Sequence, residues 1–164
     1  MNTNRIIPPW RAILSYIADI EGINDPPKFN SEEAACFDIQ LAENVLIMPH
    51  RPFIMKTGLH LSIPKGYEVQ IRMRSGMAKN HGLFILNSPA TIDSDYTGEI
   101  MIIVGLLGVD GLKLEKGTRV AQGQLVKLVT PNNPDYTIFE KLTDINNFRA
   151  TKRGDSGFGS TGTN

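Results

Sequence analysis

The chain has 164 residues, of which 41% are hydrophobic and 21% charged, a composition that argues against a disordered or fibrous protein. Seventeen basic residues balance seventeen acidic residues, so the chain has no electrostatic footprint for nucleic acid or an anionic membrane. The length favours one domain, which we expect to span residues 1–164. Its single cysteine, Cys36, cannot form an intramolecular disulfide, which is typical of a cytoplasmic protein.

The first predicted element is a helix in an N-terminal extension, residues 1–33. Apolar residues recur at helical spacing from Trp10 to Ile20 after Pro8-Pro9, and Gly22 supplies a stop. Docking of this amphipathic helix on its own domain is the more ordinary interpretation. Binding of a partner protein is the alternative.

Residues 34–150 form the predicted β core. Short segments rich in β-branched and large apolar residues recur about every ten residues, and most are separated by Pro, Gly, Asn or Asp. The predicted strands are Val45–Met48, Phe53–Lys56, Leu59–Ile63, Tyr67–Met73, Leu83–Leu86, Glu99–Leu107 and Val120–Val129. This spacing predicts an all-β sandwich, barrel or jelly roll.

The last segment, residues 151–164, contains four glycines and one aromatic residue, Phe158. Such a composition cannot build a core, so we expect a mobile arm. Its Arg-Gly…Gly-Phe-Gly-Ser pattern is unusual for an ordinary terminus, which favours an arm that closes over a ligand.

Arg74-Ser75-Gly76 is the first candidate for chemistry, because it follows a predicted strand and precedes residues that can begin a short helix. Backbone N–H groups at such a turn can point at a phosphate, and the arginine adds charge and a fork of donors. Considered alone, this tripeptide is more often an ordinary turn.

Two further segments carry polar side chains between apolar strands. In the segment Ile92–Glu99, the carboxylate of Asp93 or Asp95 can position and deprotonate a water while the neighbouring Tyr96 packs on a sugar, although acid-rich turns are more often structural. Gln122, at the end of the segment Gly117–Gln122, can hydrogen-bond phosphate or water, and is uninformative by itself.

Taken together in this order, these segments resemble the five motifs of the trimeric deoxyuridine triphosphatase (dUTPase) family. The resemblance spans residues 34–162, and five ordered motifs are far more specific than any one of them. The matching segments are Ala35–Ile39, Arg74–Ala78 continuing to His81–Leu83, Asn87 with Ile92–Glu99, Gly117–Gln122, and Arg153–Gly162.

The resemblance implies a distorted jelly-roll subunit of the β-clip type and a homotrimer. In the family, three active sites lie at subunit interfaces, and each takes motifs from all three chains, the fifth arriving on the C-terminal arm. The implied reaction is hydrolysis of dUTP to dUMP and pyrophosphate, which limits uracil incorporation into DNA and supplies dUMP for dTTP synthesis.

The resemblance also implies a role for each matching residue. Asp93 corresponds to the general base that activates a water for attack on the α-phosphorus. The positions that hold the phosphate chain correspond to Arg74, Ser75, Gly76, Gln122 and Arg153, with further donors from Ser160 and Thr161. Mg²⁺ is the expected cofactor, bound chiefly by triphosphate oxygens and waters, with Asp38 acting through water.

For the nucleoside, Asn87 and the backbone between it and Tyr96 match the hairpin that reads uracil. Tyr96 is expected to pack on the deoxyribose and leave no room for a 2′-hydroxyl group. Phe158 is expected to stack over the uracil when the arm closes.

This sequence departs from the family pattern at Cys36 and Ser156, where glycine is usual. A positive φ at Cys36 would be strained, and Ser156 would restrict closure of the arm. Two alternative functions stay open. A dCTP deaminase-related enzyme would need an additional acid–base carboxylate, which Asn87–Thr91 lacks. A nucleotide-gated regulator would bind a protein partner through residues 1–33.

Overall fold

The computed structural model describes residue 12 and residues 14–128. The arm residues Arg153, Ser156, Phe158, Ser160 and Thr161 lie outside this part of the chain. The described elements are β1 (Ser15–Ala18), β2 (Phe37–Gln40), β3 (Val45–Ile47), β4 (Phe53–Ser62), β5 (Tyr67–Met73), α1 (Ser75–His81), β6 (Leu83–Ile85), β7 (Ala90–Ile92), β8 (Glu99–Leu106), β9 (Leu112–Leu114) and β10 (Arg119–Lys127). Within these residues, no helix is long and apolar enough to cross a membrane.

The strands form three antiparallel sheets around one hydrophobic core. Two sheets have four strands, in the orders β1-β4-β8-β6 and β2-β10-β5-β7, and the third pairs β3 with β9. A single cluster of buried side chains takes members from all three sheets, among them Met55, Val104, Phe37, Ile71 and Ile47. This architecture confirms the predicted all-β class.

Strand β5 follows its predicted alternation and determines where the second motif lies. Val69 and Ile71 are buried, whereas Arg72 is exposed, so one face of the strand packs on the core. Strand β5 ends at Met73, and the chain turns directly into Arg74 and helix α1. The short helix predicted after Gly76 is therefore present and begins two residues earlier than expected, at Ser75.

The predicted strands Phe53–Lys56 and Leu59–Ile63 are a single strand, β4, with an irregularity in its middle. The register against β8 shifts between Lys56 and His60, and Gly58 there has a φ of 60°. A left-handed residue inside a strand is tolerated when it is glycine. The Glu99 side chain fills the irregularity, since its Oε1 accepts hydrogen bonds from the Thr57 and Gly58 amides at 3.1 and 2.9 Å.

The predicted N-terminal helix is wrong within the described residues. Ser15–Ala18 is a strand, β1, whose residues pair with Leu59–Ser62 of β4. Ile17, expected on the apolar face of the helix, is 67% exposed. Hydrogen bonding to the open edge of β4 stabilises an extended backbone and overrides the helical spacing. Trp10 and Ile13 lie outside the described part of the chain.

Asn24 fixes the rest of the N-terminal segment to the β core. Its buried side chain accepts a hydrogen bond from the Gln40 amide at 2.8 Å and donates to the carbonyl oxygens of Gln40 and Thr57 at 3.0 and 2.8 Å. Its φ of 56° is in the left-handed region, which asparagine adopts more readily than most residues. The segment after β1 is therefore part of the domain.

Candidate active site

One cleft brings together residues of the first, second and fourth sequence motifs. It has a volume of about 430 Å³ and is lined by Asn30, Ala34, Cys36, Asp38, Arg74, Ser75, Gly76, Met77, Asn80, His81 and Gln122. The sheet order explains the convergence, because Gln122 of β10 is paired with Asp38 of β2 on one side and with Arg72 of β5 on the other. Side chains opposite each other in an antiparallel sheet share a face.

Helix α1 begins at the wall of this cleft. Arg74 precedes it in an extended conformation, with φ of −69° and ψ of 137°, and makes no side-chain capping hydrogen bond. The amides of Ser75 and Gly76 lie in the first turn and have no acceptor within the helix. Both residues are exposed. The second motif therefore presents two backbone donors beside an arginine, which is an arrangement suited to a phosphate oxygen.

A buried carboxylate organises the positive charge of the cleft. Asp38 is 9% exposed, and its Oδ1 lies 3.1 Å from Nε of Arg74. Its Oδ2 lies 3.1 Å from an Nη of Arg119 and also accepts a hydrogen bond from the Asn30 amide. The Arg74 guanidinium also donates to the Arg119 carbonyl oxygen at 3.2 Å. An ion pair with Asp38 and a hydrogen bond to the Arg119 carbonyl oxygen therefore fix Arg74 at the edge of the cleft.

Sequence reasoning did not single out Arg119 or Asn30 as functional residues. Arg119 lies within the fourth motif, so the motif contained a signal for it. Asn30 belongs to the N-terminal extension, and no local pattern indicates that it reaches Asp38 eight positions later. Cys36 lines the cleft, and its φ is not positive. The backbone strain that a left-handed conformation would cause at this position therefore does not arise.

Asp93 and Tyr96 line a second, more apolar cleft of about 280 Å³. They lie in the connection between β7 and β8, where the Tyr96 amide donates to the Asp93 carbonyl oxygen at 3.2 Å. The Tyr96 hydroxyl donates to the Glu99 carbonyl oxygen at 2.8 Å. A Cβ at Gly98 would lie 2.6 Å from that hydroxyl oxygen, so glycine here allows the ring to fold over its own loop. Asp93 itself is exposed.

The two clefts lie at opposite ends of strand β5. Ile92 is paired with Val69, which places Asp93 next to Glu68 at the beginning of β5. Arg74 follows the other end of the same strand. Six residues of strand, each rising about 3.3 Å, separate these positions by about 20 Å. The structure therefore does not bring Asp93 and Arg74 of one chain together.

Asn87 lines neither of these clefts. It lies exposed in the turn between β6 and β7.

The donor set of the first cleft fits a magnesium ion that arrives with a polyphosphate. Among the described residues, Asp38 is the single carboxylate that lines it, and both Asp38 oxygens already contact guanidinium groups. No cluster of three or more metal-ligating side chains is found in the described residues. Arginines and free amides suit phosphate, and the Asp38 lone pairs can still accept hydrogen bonds from metal-bound waters.

Comparisons with known proteins point to one family. A family model for dUTPase matches residues 24–162. The deoxyuridine 5'-triphosphate nucleotidohydrolase of Zymomonas mobilis is 42% identical over 142 residues, which cover 86% of this chain and 91% of that protein.

Two solved structures share the fold. The Staphylococcus bacteriophage 80alpha dUTPase with dUPNHPP is 25% identical, with a TM-score of 0.73 over 92% of this chain and 98% of that chain. A mutant dUTPase from phage phi11 of S. aureus, described as revealing the coordination of a structural Mg(II) ion, is 21% identical, with a TM-score of 0.67 over 82% and 99% of the two chains. By its sequence and its fold, the chain belongs to the dUTPase family.

Proposed function

We propose that this protein is a dUTP diphosphatase, which hydrolyses dUTP to dUMP and pyrophosphate. The observation that carries the proposal is the cleft in which Arg74, Ser75, Gly76 and Gln122 surround the buried Asp38. By resemblance, Arg74, Ser75, Gly76 and Gln122 occupy the family's phosphate-binding positions. Together with Asp38 they converge from three separate sequence motifs. In the cell, the reaction limits uracil in DNA and supplies dUMP, and we place it in the cytoplasm.

Binding of the phosphate chain is the role of the first cleft. The Arg74 guanidinium, held by Asp38, supplies fixed positive charge, while the amides of Ser75 and Gly76 supply neutral donors. Gln122 adds a side-chain amide from the neighbouring strand. Because these groups are already oriented, little reorganisation is needed when charge develops on the phosphate oxygens. The resemblance adds Arg153, Ser160 and Thr161 from the C-terminal arm.

Asp93 is the proposed general base. Its exposed carboxylate can accept a proton from a water aligned with the α-phosphorus, and the reaction then proceeds by in-line displacement without a covalent enzyme intermediate. Tyr96, folded beside Asp93, is positioned to pack on the deoxyribose. By resemblance, Asn87 and its hairpin read the uracil, and Phe158 of the arm stacks on it.

Mg²⁺ is the proposed cofactor. Bound chiefly to triphosphate oxygens and waters, it would neutralise phosphate charge and help to fix the conformation of the triphosphate chain. From this chain, Asp38 would hold it through a water. Because Asp38 also binds Arg74 and Arg119, this carboxylate would link the arginines to the hydrated ion.

The separation of the two clefts supports an active site shared between chains. A general base acts only within hydrogen-bond reach of its water, directly or through one more water. Asp93 therefore cannot serve a substrate whose phosphates lie at Arg74 of the same chain, about 20 Å away along β5. We propose that a homotrimer joins Asp93 of one chain to the phosphate-binding cleft of another.

The first test is pyrophosphate release by the purified protein with Mg²⁺, comparing dUTP with dCTP, dTTP and UTP. We expect release from dUTP alone, because a tight hairpin excludes the 5-methyl group and Tyr96 excludes the 2′-hydroxyl group. Conversion of dCTP to a deaminated product would favour the deaminase-related alternative. A folded trimer inactive on all four nucleotides would contradict the proposed function.

The shared site can be tested by mixing two inactive variants, Asp93→Asn and Arg74→Ala. In randomly mixed trimers, about one quarter of the sites combine an intact Asp93 with an intact Arg74 from a neighbouring chain, so about one quarter of the wild-type activity should return. The control is a mixture of each variant with itself. If both residues acted within one chain, no mixture would regain activity.

A further inference from the structure

His60 connects the N-terminal segment to the loop that carries Asp93 and Tyr96. Its Nδ1 lies 3.2 Å from the carbonyl oxygen of Thr97, the residue after Tyr96. Its Nε2 lies 3.2 Å from Oδ2 of Asp19, which directly follows β1. The Asp19 amide in turn donates to the Gly58 carbonyl oxygen at 2.8 Å, so Asp19 is anchored on β4.

The partners of the two ring nitrogens are both acceptors. A backbone carbonyl and a carboxylate have no hydrogen to donate, so both hydrogen bonds form together only when the ring carries two protons. Two carboxylates face the ring, Asp19 after β1 and Glu99, its paired residue on β8. The Thr97 hydrogen bond and these carboxylates raise the pKa of His60 above its ordinary 6.5, against the opposing effect of burial.

The loop has few other attachments. Among the described residues, His60 is the one side chain from outside the loop that hydrogen-bonds to residues 93–98. Within the described part of the chain, the Tyr96 hydroxyl bonds only to the Glu99 carbonyl oxygen, and the Glu99 carboxylate is occupied by the amides of β4. The position of Thr97 therefore depends on the ring more than on any other side chain.

We infer that His60 is a positioning residue for the loop of Asp93 and Tyr96, and that loss of one ring proton loosens this loop. The inference rests on the proposed role of the loop in dUTP hydrolysis. In the neutral ring, a hydrogen bond to the Asp19 carboxylate is stronger than one to the Thr97 carbonyl oxygen, because the carboxylate is charged. The remaining proton therefore stays on Nε2, facing Asp19. The bare Nδ1 then faces the Thr97 carbonyl oxygen, and the contact becomes repulsive.

Three substitutions separate the two contacts. His60→Asn places an amide donor near the Nδ1 position and retains the Thr97 contact at every pH. His60→Gln reaches toward Asp19 and lacks the donor for Thr97. Asp19→Asn supplies an amide that can donate to Nε2, which lets a neutral ring keep its proton on Nδ1 for Thr97.

We expect the wild-type KM for dUTP to rise about three- to fivefold as the pH increases through the pKa of His60, with a smaller change in kcat, since a partly exposed contact has this modest strength. His60→Asn and Asp19→Asn should keep the low KM over the same range, and His60→Gln should have the high KM throughout. Ionisation of the substrate affects all four proteins alike. Identical pH profiles in all four would overturn the inference.

A second measurement does not depend on turnover. NMR titration of the imidazole proton resonances, assigned by their loss in His60→Asn, should give a His60 pKa above 6.5 that falls in Asp19→Asn. The ring resonances of Tyr96 should shift with the same titration in the wild type and not in Asp19→Asn. An inactive protein with these titrations would contradict the proposed function alone, whereas an active protein without them would contradict the role of His60.

Discussion

Gly76 is a position where the fold has room for a side chain but the proposed binding of phosphate does not. It lies exposed in the first turn of α1, its φ is not positive, and a Cβ built on it would meet no atom of the described chain within 4 Å. The described fold therefore does not require glycine here. We attribute the residue to the space that a phosphate oxygen needs beside the backbone amides.

The variant Gly76→Ala should therefore lose activity without losing stability. Alanine is more favourable than glycine in a helix by up to about 1 kcal/mol, so the free energy of unfolding should stay unchanged or increase. A methyl group between the amides and the phosphate would displace the triphosphate by about 1 Å, and a displacement of that size costs about 100-fold in rate. This loss corresponds to about 2.7 kcal/mol of transition-state stabilisation.

The assay combines steady-state pyrophosphate release with thermal unfolding, both at one fixed protein concentration because assembly affects the melting temperature. Lys79→Ala is the matched control, since Lys79 is exposed on the same helix and does not line the cleft. The control should keep its activity. A Gly76→Ala protein with an unchanged melting temperature and wild-type kcat/KM would show that the phosphate does not approach this turn.

Three further predictions follow from the contacts described above. Asp93→Asn should abolish turnover while calorimetry still detects dUTP binding, and normal turnover would remove Asp93 as the base. Asn24→Ala leaves buried backbone groups of Gln40 and Thr57 unpaired, so the free energy of unfolding measured in urea should fall by about 2–4 kcal/mol. An unchanged urea midpoint would show that Asn24 does not anchor the N-terminal segment. Arg119→Ala removes one of the two guanidiniums on Asp38, and we expect the KM for dUTP to rise about tenfold with little change in secondary structure by circular dichroism.

The β core was predictable because its strands alternate or are bounded by turn residues. Strand β5, from Tyr67 to Met73, has the predicted boundaries, since its alternation matches burial on one face only. Strand β1 was not predictable from local spacing, because Ser15–Ala18 becomes extended only through pairing with β4, more than forty residues later. Sheet-edge hydrogen bonds of this kind leave no periodic signal in the paired segment.

The candidate site shows the same limit. The motif residues Arg74 and Gln122 were identified from the sequence, and the register of β10 explains why they meet. Asn30 and His60 were not identified, because each acts through a contact across the fold and lies in no motif. Their roles depend on which residue lies opposite them, and only the folded chain determines that.

Because the two clefts are far apart, binding of the phosphate chain and activation of the attacking water have different requirements for assembly. The described groups that we propose for phosphate binding all lie in one cleft of one chain, where Asp38 orients Arg74. The proposed base, Asp93, lies outside this cleft, because β5 places it about 20 Å away from these groups. A separated chain should therefore retain weak affinity for the triphosphate but lack turnover. Activity should fall with dilution as the proposed trimer dissociates, while pyrophosphate binding to the cleft persists. Pyrophosphate binding that disappeared at the same dilution as the activity would show that assembly also builds the phosphate cleft, and that Asp38 alone does not hold Arg74 in place.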